Sequence, residues 1–244
     1  MRTIRIHVEL PLSLGAELSL PPQAAQHVAR VLRLPAGSPI TLFNGDGHDY
    51  QAVTLDLGKR GVTARIESCD RVQNESPLRL TLAQAVVRGE KMDLIVQKAT
   101  ELGAIRIVPL FTERSEIKLD AGRTEKRLVH WRAVVASACE QSGRACLPEI
   151  VPALSLSAWL ASLAGDHSLR LALLPQAAQS SRDLRFTNRS GLLVVGPEGG
   201  LGERDNAALI AAGFSGLQLG PRILRTETAG LAALAALQAL HGDA

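Results

Sequence analysis

The sequence predicts an α/β protein in two parts: a small β-barrel over residues 1–73, then an α/β domain over residues 74–244. Three features predict it. Short strands punctuated by glycine turns fill the first part, a polar stretch follows, and apolar strands then alternate with helical segments to the end of the chain. Such alternation is the pattern of a mainly parallel sheet, because parallel strands need crossover connections.

The elements of the first part come in order. Ile4, Ile6, Val8 and Leu10 alternate with Arg5, His7 and Glu9, the period of a half-buried strand. Pro22 opens a short helix with Ala25, Val28, Ala29 and Leu32 on one face. Residues 40–43 and 50–55 flank Asn44-Gly45-Asp46-Gly47, a hairpin signal. Lys59-Arg60-Gly61 turns the chain again before Val62, Ala64 and Ile66. Gln73-Asn74-Glu75-Ser76-Pro77 is the linker candidate.

The texture then changes. Residues 80–87 form a near-continuous apolar strand, and 91–102 a helix with Met92, Ile95, Val96, Ala99 and Leu102 on one stripe. A strand over 105–111 precedes a longer helix over 123–142, which turns Leu128, Trp131, Val135 and Ala138 inward and stops at Gly143. A short helix over 155–163, strands at 169–174 and 192–195, a helix over 203–212 and a strand at 217–219 come next. The last helix, 228–241, is almost entirely Ala and Leu, so it is expected to be packed on every side.

Bulk properties limit the functions. Lys and Arg number 27 against 24 Asp and Glu, so the whole surface cannot act as a polyanion trap; a nucleic-acid role needs basic groups concentrated on one face. Aromatics make up only 3%, which disfavours base-stacking platforms. Cys69, Cys139 and Cys146 are odd in number and lack C-x-x-C spacing, so neither disulfides nor a zinc site is expected, and a reducing cytoplasm fits. The scattered histidines offer no metal motif. The most apolar window, 228–240, is shorter than the roughly 20 residues that span a bilayer, so no membrane role is expected.

Two loops stand out. Gly196-Pro197-Glu198-Gly199-Gly200 follows an apolar strand, and its glycines let backbone approach a ligand. The next helix carries Glu203 and Asp205 in its first turn, where they already complement the positive helix end. That is a poor phosphate site, and neither a P-loop lysine nor G-x-G-x-x-G is present. A ligand with an uncharged or cationic portion fits better, the plainer alternative being a tight strand-to-helix turn. The second loop, from Leu219 on, carries Arg222, Arg225 and Glu227, which form either a site or an internal Arg–Glu bridge. In the first part His27, Arg30 and Arg33 are spaced by helical turns, with Arg2 and Arg5 nearby; they make a phosphate-facing ridge or a solvated face. Arg88, Lys91, Lys98, Arg114 and Arg144 add basic loops to the second part.

The ordered set of Lys91-Met92-Asp93, Glu101-Leu102-Gly103, Glu113-Arg114-Ser115, Glu140-Gln141-Ser142-Gly143-Arg144, Gly196 to Gly200, and Leu219-Gly220 through Arg225-Thr226-Glu227-Thr228-Ala229 resembles the ribosomal RNA small-subunit methyltransferase E family. Residues 27–33 fit that family's first domain, so the resemblance covers nearly the whole chain. It implies a SPOUT-type methyltransferase domain whose C-terminal segment is threaded into a trefoil knot, which physical reasoning alone would reject because knots are nearly absent from proteins. It implies a PUA-like RNA-binding barrel, a homodimer, S-adenosylmethionine as donor, and N3-methylation of one uridine in small-subunit ribosomal RNA, free or in the assembled subunit. The cofactor is then expected at Leu174, Pro175, Gly196, Pro197, Glu198, Gly199, Gly200, Leu219, Gly220, Ile223, Leu224, Arg225 and Thr226. Arg225 is the candidate to stabilise the deprotonated base, and Glu227 the candidate to take its proton. RNA is expected at Arg2, His27, Arg30, Arg33, Arg88, Lys91, Arg114 and Arg144. The alternatives are a non-catalytic RNA-binding or ribosome-assembly module with a degenerate pocket, and an enzyme using another adenine cofactor such as NAD, against which the missing dinucleotide fingerprint stands.

Overall fold

The computed structural model describes residues 4–58, 61–115, 121–174 and 179–244. The chain divides into two compact units, one of Met1–Glu75 with Ala136–Leu147 and one of Ser76–Val135 with Pro148–Ala244.

The first unit is a five-stranded sheet around a single core. Strand β1 (Arg5–His7) runs parallel to β3 (Pro39–Phe43). Beyond β3, the strands β4 (His48–Gly58), β5 (Gly61–Arg71) and β2 (Glu17–Ser19) follow as antiparallel neighbours. The hairpin expected around residues 44–47 is present, with Leu42 opposite Tyr50. Register shifts at Gln51/Ala52 and Thr54/Asp56 bend the two long strands, as bulges do. Ile6, Leu42, Tyr50, Val62 and Ile66 pack with Ala24, Ala25 and Val28 of the helical segment. Lys59, part of the second expected turn, lies with Arg60 outside the described residues.

The helical segment departs from expectation. Helix α1 (Pro22–Gln26) widens into a π-turn over His27–Val31, closed by Leu32 N–H donating to the His27 carbonyl at 2.9 Å. The wider turn rotates the residues after Val28, so Ala29 is exposed instead of buried.

The 136–147 segment belongs to this unit. It begins inside helix α3 (Ala121–Ser142), which Gly143 ends at φ +81° as expected. The His7 N–H donates to Glu140 Oε1 at 3.0 Å, and Gly47 N–H to the Ala145 carbonyl at 3.3 Å. Arg144, 6% exposed in its side chain, makes a two-point ion pair with Glu75 (2.9 and 2.6 Å) while Arg5 donates to its carbonyl.

The second unit is built on a parallel sheet, as predicted. Its strands are β6 (Arg79–Ala85), β7 (Arg106–Phe111), β8 (Glu149–Ile150), β9 (Leu154–Ser155), β10 (Leu169–Leu173), β11 (Gln179–Ser180), β12 (Ser190–Val195) and β13 (Ser215–Gln218). Spatially they run β11-β13-β10-β12-β6-β7-β8, with β9 also on β7. Helix α2 (Glu90–Glu101) buries Met92, Ile95, Val96 and Ala99, and α3 buries Leu128, Trp131 and Val135, as their periodicity predicts. Helix α4 (Leu156–Ala161) is capped by Ser155, whose hydroxyl accepts from the Ala158 N–H at 3.1 Å. Helix α5 (Glu203–Ala211) follows β12, and α6 (Thr226–His241) closes the chain against α2, β6 and β12. No helix of the described residues is long and apolar enough to cross a membrane.

Two expectations about α6 fail. It starts at Thr226, two residues early, which places Glu227 in its first turn. It is also not enclosed on every side: Ala233, Leu234 and Leu237 are buried, but Ala235, Ala239 and Leu240 are exposed. A helix of Ala and Leu has no polar stripe to mark which face is open, so composition could not show it.

Candidate active site

The carboxyl ends of β10, β12 and β13 meet the first turn of α6, the place where open parallel sheets hold ligands. A cavity of about 630 Å³ opens there, a size usual for small-molecule sites. Leu173, Leu174, Val195, Ile223 and Leu224 supply apolar walls, while Lys91, Glu198, Arg225 and Glu227 supply charge. A small annexe of about 80 Å³ is lined by Leu219, Gly220 and Arg222.

The two loops singled out in the sequence are therefore brought together. Leu174, Gly196, Pro197, Glu198, Gly200, Ile223, Leu224, Arg225, Thr226 and Glu227 line the main cavity, and Leu219 and Gly220 the annexe. Gly199 lies outside the lining and accepts from Arg114 Nη1 through its carbonyl at 2.9 Å. Pro175 and Arg2 fall outside the described residues.

Local chemistry explains why these loops hold their shape. The Gly196 turn folds back so tightly that a Cβ there would stand 3.0 Å from the Leu201 nitrogen and 3.1 Å from the Gly200 carbonyl carbon. Gly200 has φ +71°, a left-handed conformation suited to glycine. Thr226 Oγ1 donates to the Gly196 carbonyl at 2.6 Å and accepts from Gln84 Nε2 at 2.9 Å. Three elements, β6, the loop after β12 and α6, are thus tied by one buried hydroxyl.

The start of α5 is closed to anions. The Asp205 carboxylate accepts from the Gly202 N–H at 3.1 Å, and Glu113 Oε2 accepts from the Arg204 N–H at 3.1 Å. The helix end that would bind phosphate is already occupied by two carboxylates, one of them Glu113, which the sequence places in a family motif without a role.

The charged mouth differs from the expected Arg–Glu bridge. Lys91 Nζ donates to Glu198 Oε1 at 3.1 Å and stands 3.6 Å from Glu227 Oε2. The hydrogen bond to Glu198 raises the ammonium above the usual lysine range, with charge from Glu198 and Glu227 adding to it. Among the described residues no carboxylate pairs with the Arg225 guanidinium, which is exposed at the N-cap of α6.

The expected RNA contacts separate into groups. His27, Arg30 and Arg33 are exposed on the first unit, with Arg33 at φ +52° just past the π-turn. Arg88 and Arg114 are exposed on the second. Arg144 is different: its guanidinium is buried against Glu75, so its charge braces the first unit and does not face solvent. Lys91 sits in the cavity lining. Sequence reasoning missed Gln84 and gave Glu113 no role. Gln84 did leave a signal, as an amide within the largely apolar run 80–87, and the structure buries it fully.

Residues 74–238 match a family model described as an RNA methyltransferase domain, and residues 20–67 one described as an RNA methyltransferase PUA domain. A parallel sheet with a glycine-loop cavity, preceded by a PUA domain, thus defines an RNA methyltransferase. The chain belongs, more narrowly, to the ribosomal RNA small subunit methyltransferase E family. It is 31% identical to the family's protein from Buchnera aphidicola over 99% of this chain and 98% of that one. A solved ribosomal RNA small subunit methyltransferase E from Neisseria gonorrhoeae, bound to S-adenosylmethionine, matches at 39% identity over 99% of both chains with a TM-score of 0.94. A Legionella pneumophila protein described as a methyltransferase, solved with the same cofactor, matches at 40% identity over 100% of both chains with a TM-score of 0.96.

Proposed function

We propose that this chain transfers a methyl group from S-adenosylmethionine to N3 of one uridine in small-subunit ribosomal RNA. The observation that carries the reading is the cavity itself, with apolar walls suited to adenine and a tight glycine turn whose backbone can approach the rest of the donor. The capped start of α5 disfavours a phosphate-bearing cofactor such as NAD. The two relatives with S-adenosylmethionine bound, at 39 and 40% identity over nearly their whole length, support the same donor.

S-adenosylmethionine supplies a methyl carbon activated by a sulfonium. Leu173, Leu174, Ile223 and Leu224 would hold its adenine, and the Gly196 to Gly200 backbone would hold the rest. The annexe at Leu219 and Gly220 extends that grip. Holding reactants in attack geometry contributes on the order of 7–11 kcal/mol. Uridine N3 carries a proton and is weakly acidic, so the Glu227 carboxylate takes that proton and the Arg225 guanidinium stabilises the charge left on the ring.

The barrel over residues 1–73 serves as the RNA grip, with His27, Arg30 and Arg33 on its exposed ridge, and residues 74–244 perform the chemistry. Arg88 and Arg114 extend the basic surface of the second part. Threading of the C-terminal segment is supported by α6 packing on the stretch after β11. There His241 Nε2 lies 3.2 Å from the Ser181 carbonyl, and the His241 ring 5.1 Å from that of Phe186. The open apolar face of α6 favours a homodimer. Three free cysteines fit the cytoplasm.

Incubation with labelled S-adenosylmethionine and either free RNA or small subunits lacking the modification, followed by nucleoside analysis, tests the reading. Label in N3-methyluridine is expected. Label in another nucleoside, or no binding of the donor by calorimetry, would overturn it.

A further inference from the structure

Lys91 is the second residue of α2, where the helix dipole disfavours a cation. Its charge therefore serves its neighbours and not its own helix. Those neighbours are two carboxylates from different elements: Glu198 in the loop after β12 at 3.1 Å, and Glu227 in the first turn of α6 at 3.6 Å. All three residues line the same cavity. The Glu227 side chain is only 16% exposed, and its Oε2 makes no hydrogen bond among the described residues, so the ammonium is its nearest compensating charge.

We infer that Lys91 is a positioning residue for methyl transfer, its ammonium spanning the glycine loop and the start of α6 so that the Glu227 carboxylate is held facing the cavity. This rests on the methyltransferase reading above, and it reassigns a residue that the sequence suggested as a phosphate contact. Removing the ammonium leaves two carboxylates facing each other across the mouth with nothing between them. Like charges then repel, and Glu227, whose Oε2 has no hydrogen bond to hold it, loses its fixed direction, while the Gly196 turn stays tied to Thr226. A guanidinium in the same place satisfies both carboxylates, whereas a methionine satisfies neither.

Steady-state kinetics on Lys91→Met and Lys91→Arg test this, with wild-type protein in parallel. For Lys91→Met we expect kcat to fall at least tenfold. Donor affinity by calorimetry should stay within threefold, RNA affinity and its salt slope should not change, and the unfolding midpoint should hold. Lys91→Arg should recover kcat to within threefold of wild type. A kcat for Lys91→Met within twofold of wild type would overturn the inference. So would a defect confined to RNA affinity with a salt slope smaller by about 1, since that is the signature of a lost phosphate contact. Wild-type protein that neither binds the donor nor methylates RNA would instead overturn the methyltransferase reading, and this inference with it.

Discussion

The Thr226 hydroxyl donates to the Gly196 carbonyl across 2.6 Å, joining the first residue of the last helix to the turn after the central strand β12. The two residues are 30 positions apart in sequence, and no local rule pairs them. The same oxygen accepts from Gln84, so its donor and one acceptor site are both used inside the protein. One side chain thereby sets the distance between the two loops that wall the cavity.

Valine in place of Thr226 keeps the shape and removes both hydrogen bonds. The Gly196 carbonyl would then lose its Thr226 donor, and the buried Gln84 amide would keep its bond to the Ala85 carbonyl but lose the one to residue 226, at about 1–3 kcal/mol. Thr226→Val is expected to lower the unfolding midpoint by a few degrees and to weaken S-adenosylmethionine binding in calorimetry. A midpoint and affinity equal to wild type would show that the loops are held by packing alone.

Arg225 contributes its backbone to the α6 N-cap, but its guanidinium pairs with no carboxylate among the described residues. Arg225→Ala should leave the fold intact and lower methyl transfer at least a hundredfold, about 2.7 kcal/mol of barrier. Single-turnover rates with donor and RNA both saturating provide the measure. Turnover near wild type would remove Arg225 from the mechanism.

Much of this architecture was legible because the relevant signals are local. Met92, Ile95, Val96 and Ala99 recur at helical spacing and are buried, and the glycine turn at 44–47 is a hairpin. The glycine loop and the Arg225 segment were legible as pieces, since each joins a strand to a helix. Their partners were not. Lys91 reads as a surface cation because nothing near it in sequence shows the two carboxylates that β12 and α6 bring to it. Arg144 misled for the same reason, its partner Glu75 being 69 positions away. The π-turn at His27 shifted the helical phase by a residue, which a fixed 3.6-residue period cannot register.

Burial of Arg144 against Glu75 makes a stability prediction. Removing one partner of such a pair leaves a charge poorly compensated, at a cost on the order of 3 kcal/mol. Arg144→Met is therefore expected to lower the unfolding midpoint by roughly 6–12 °C. RNA affinity measured well below that midpoint should keep its wild-type salt slope. An unchanged midpoint with a shallower slope would mean that the guanidinium reaches RNA after all.

Arg30 has the opposite character. It lies in the π-turn with its side chain in solvent, between exposed His27 and Arg33. Alanine is a good helix former, so Arg30→Ala should not disturb the Val28 anchor below it. If the ridge meets the RNA backbone, the variant loses one phosphate contact: affinity falls for every RNA sequence tested, and the slope of log K against log salt shrinks by about 1. S-adenosylmethionine affinity should not move, because the donor cavity is lined by residues of the other unit. Filter binding at several salt concentrations, with calorimetry for the donor, separates the two effects. RNA affinity equal to wild type at both low and moderate salt would show that this ridge is a solvated surface, and the RNA grip would have to be sought on Arg88 and Arg114.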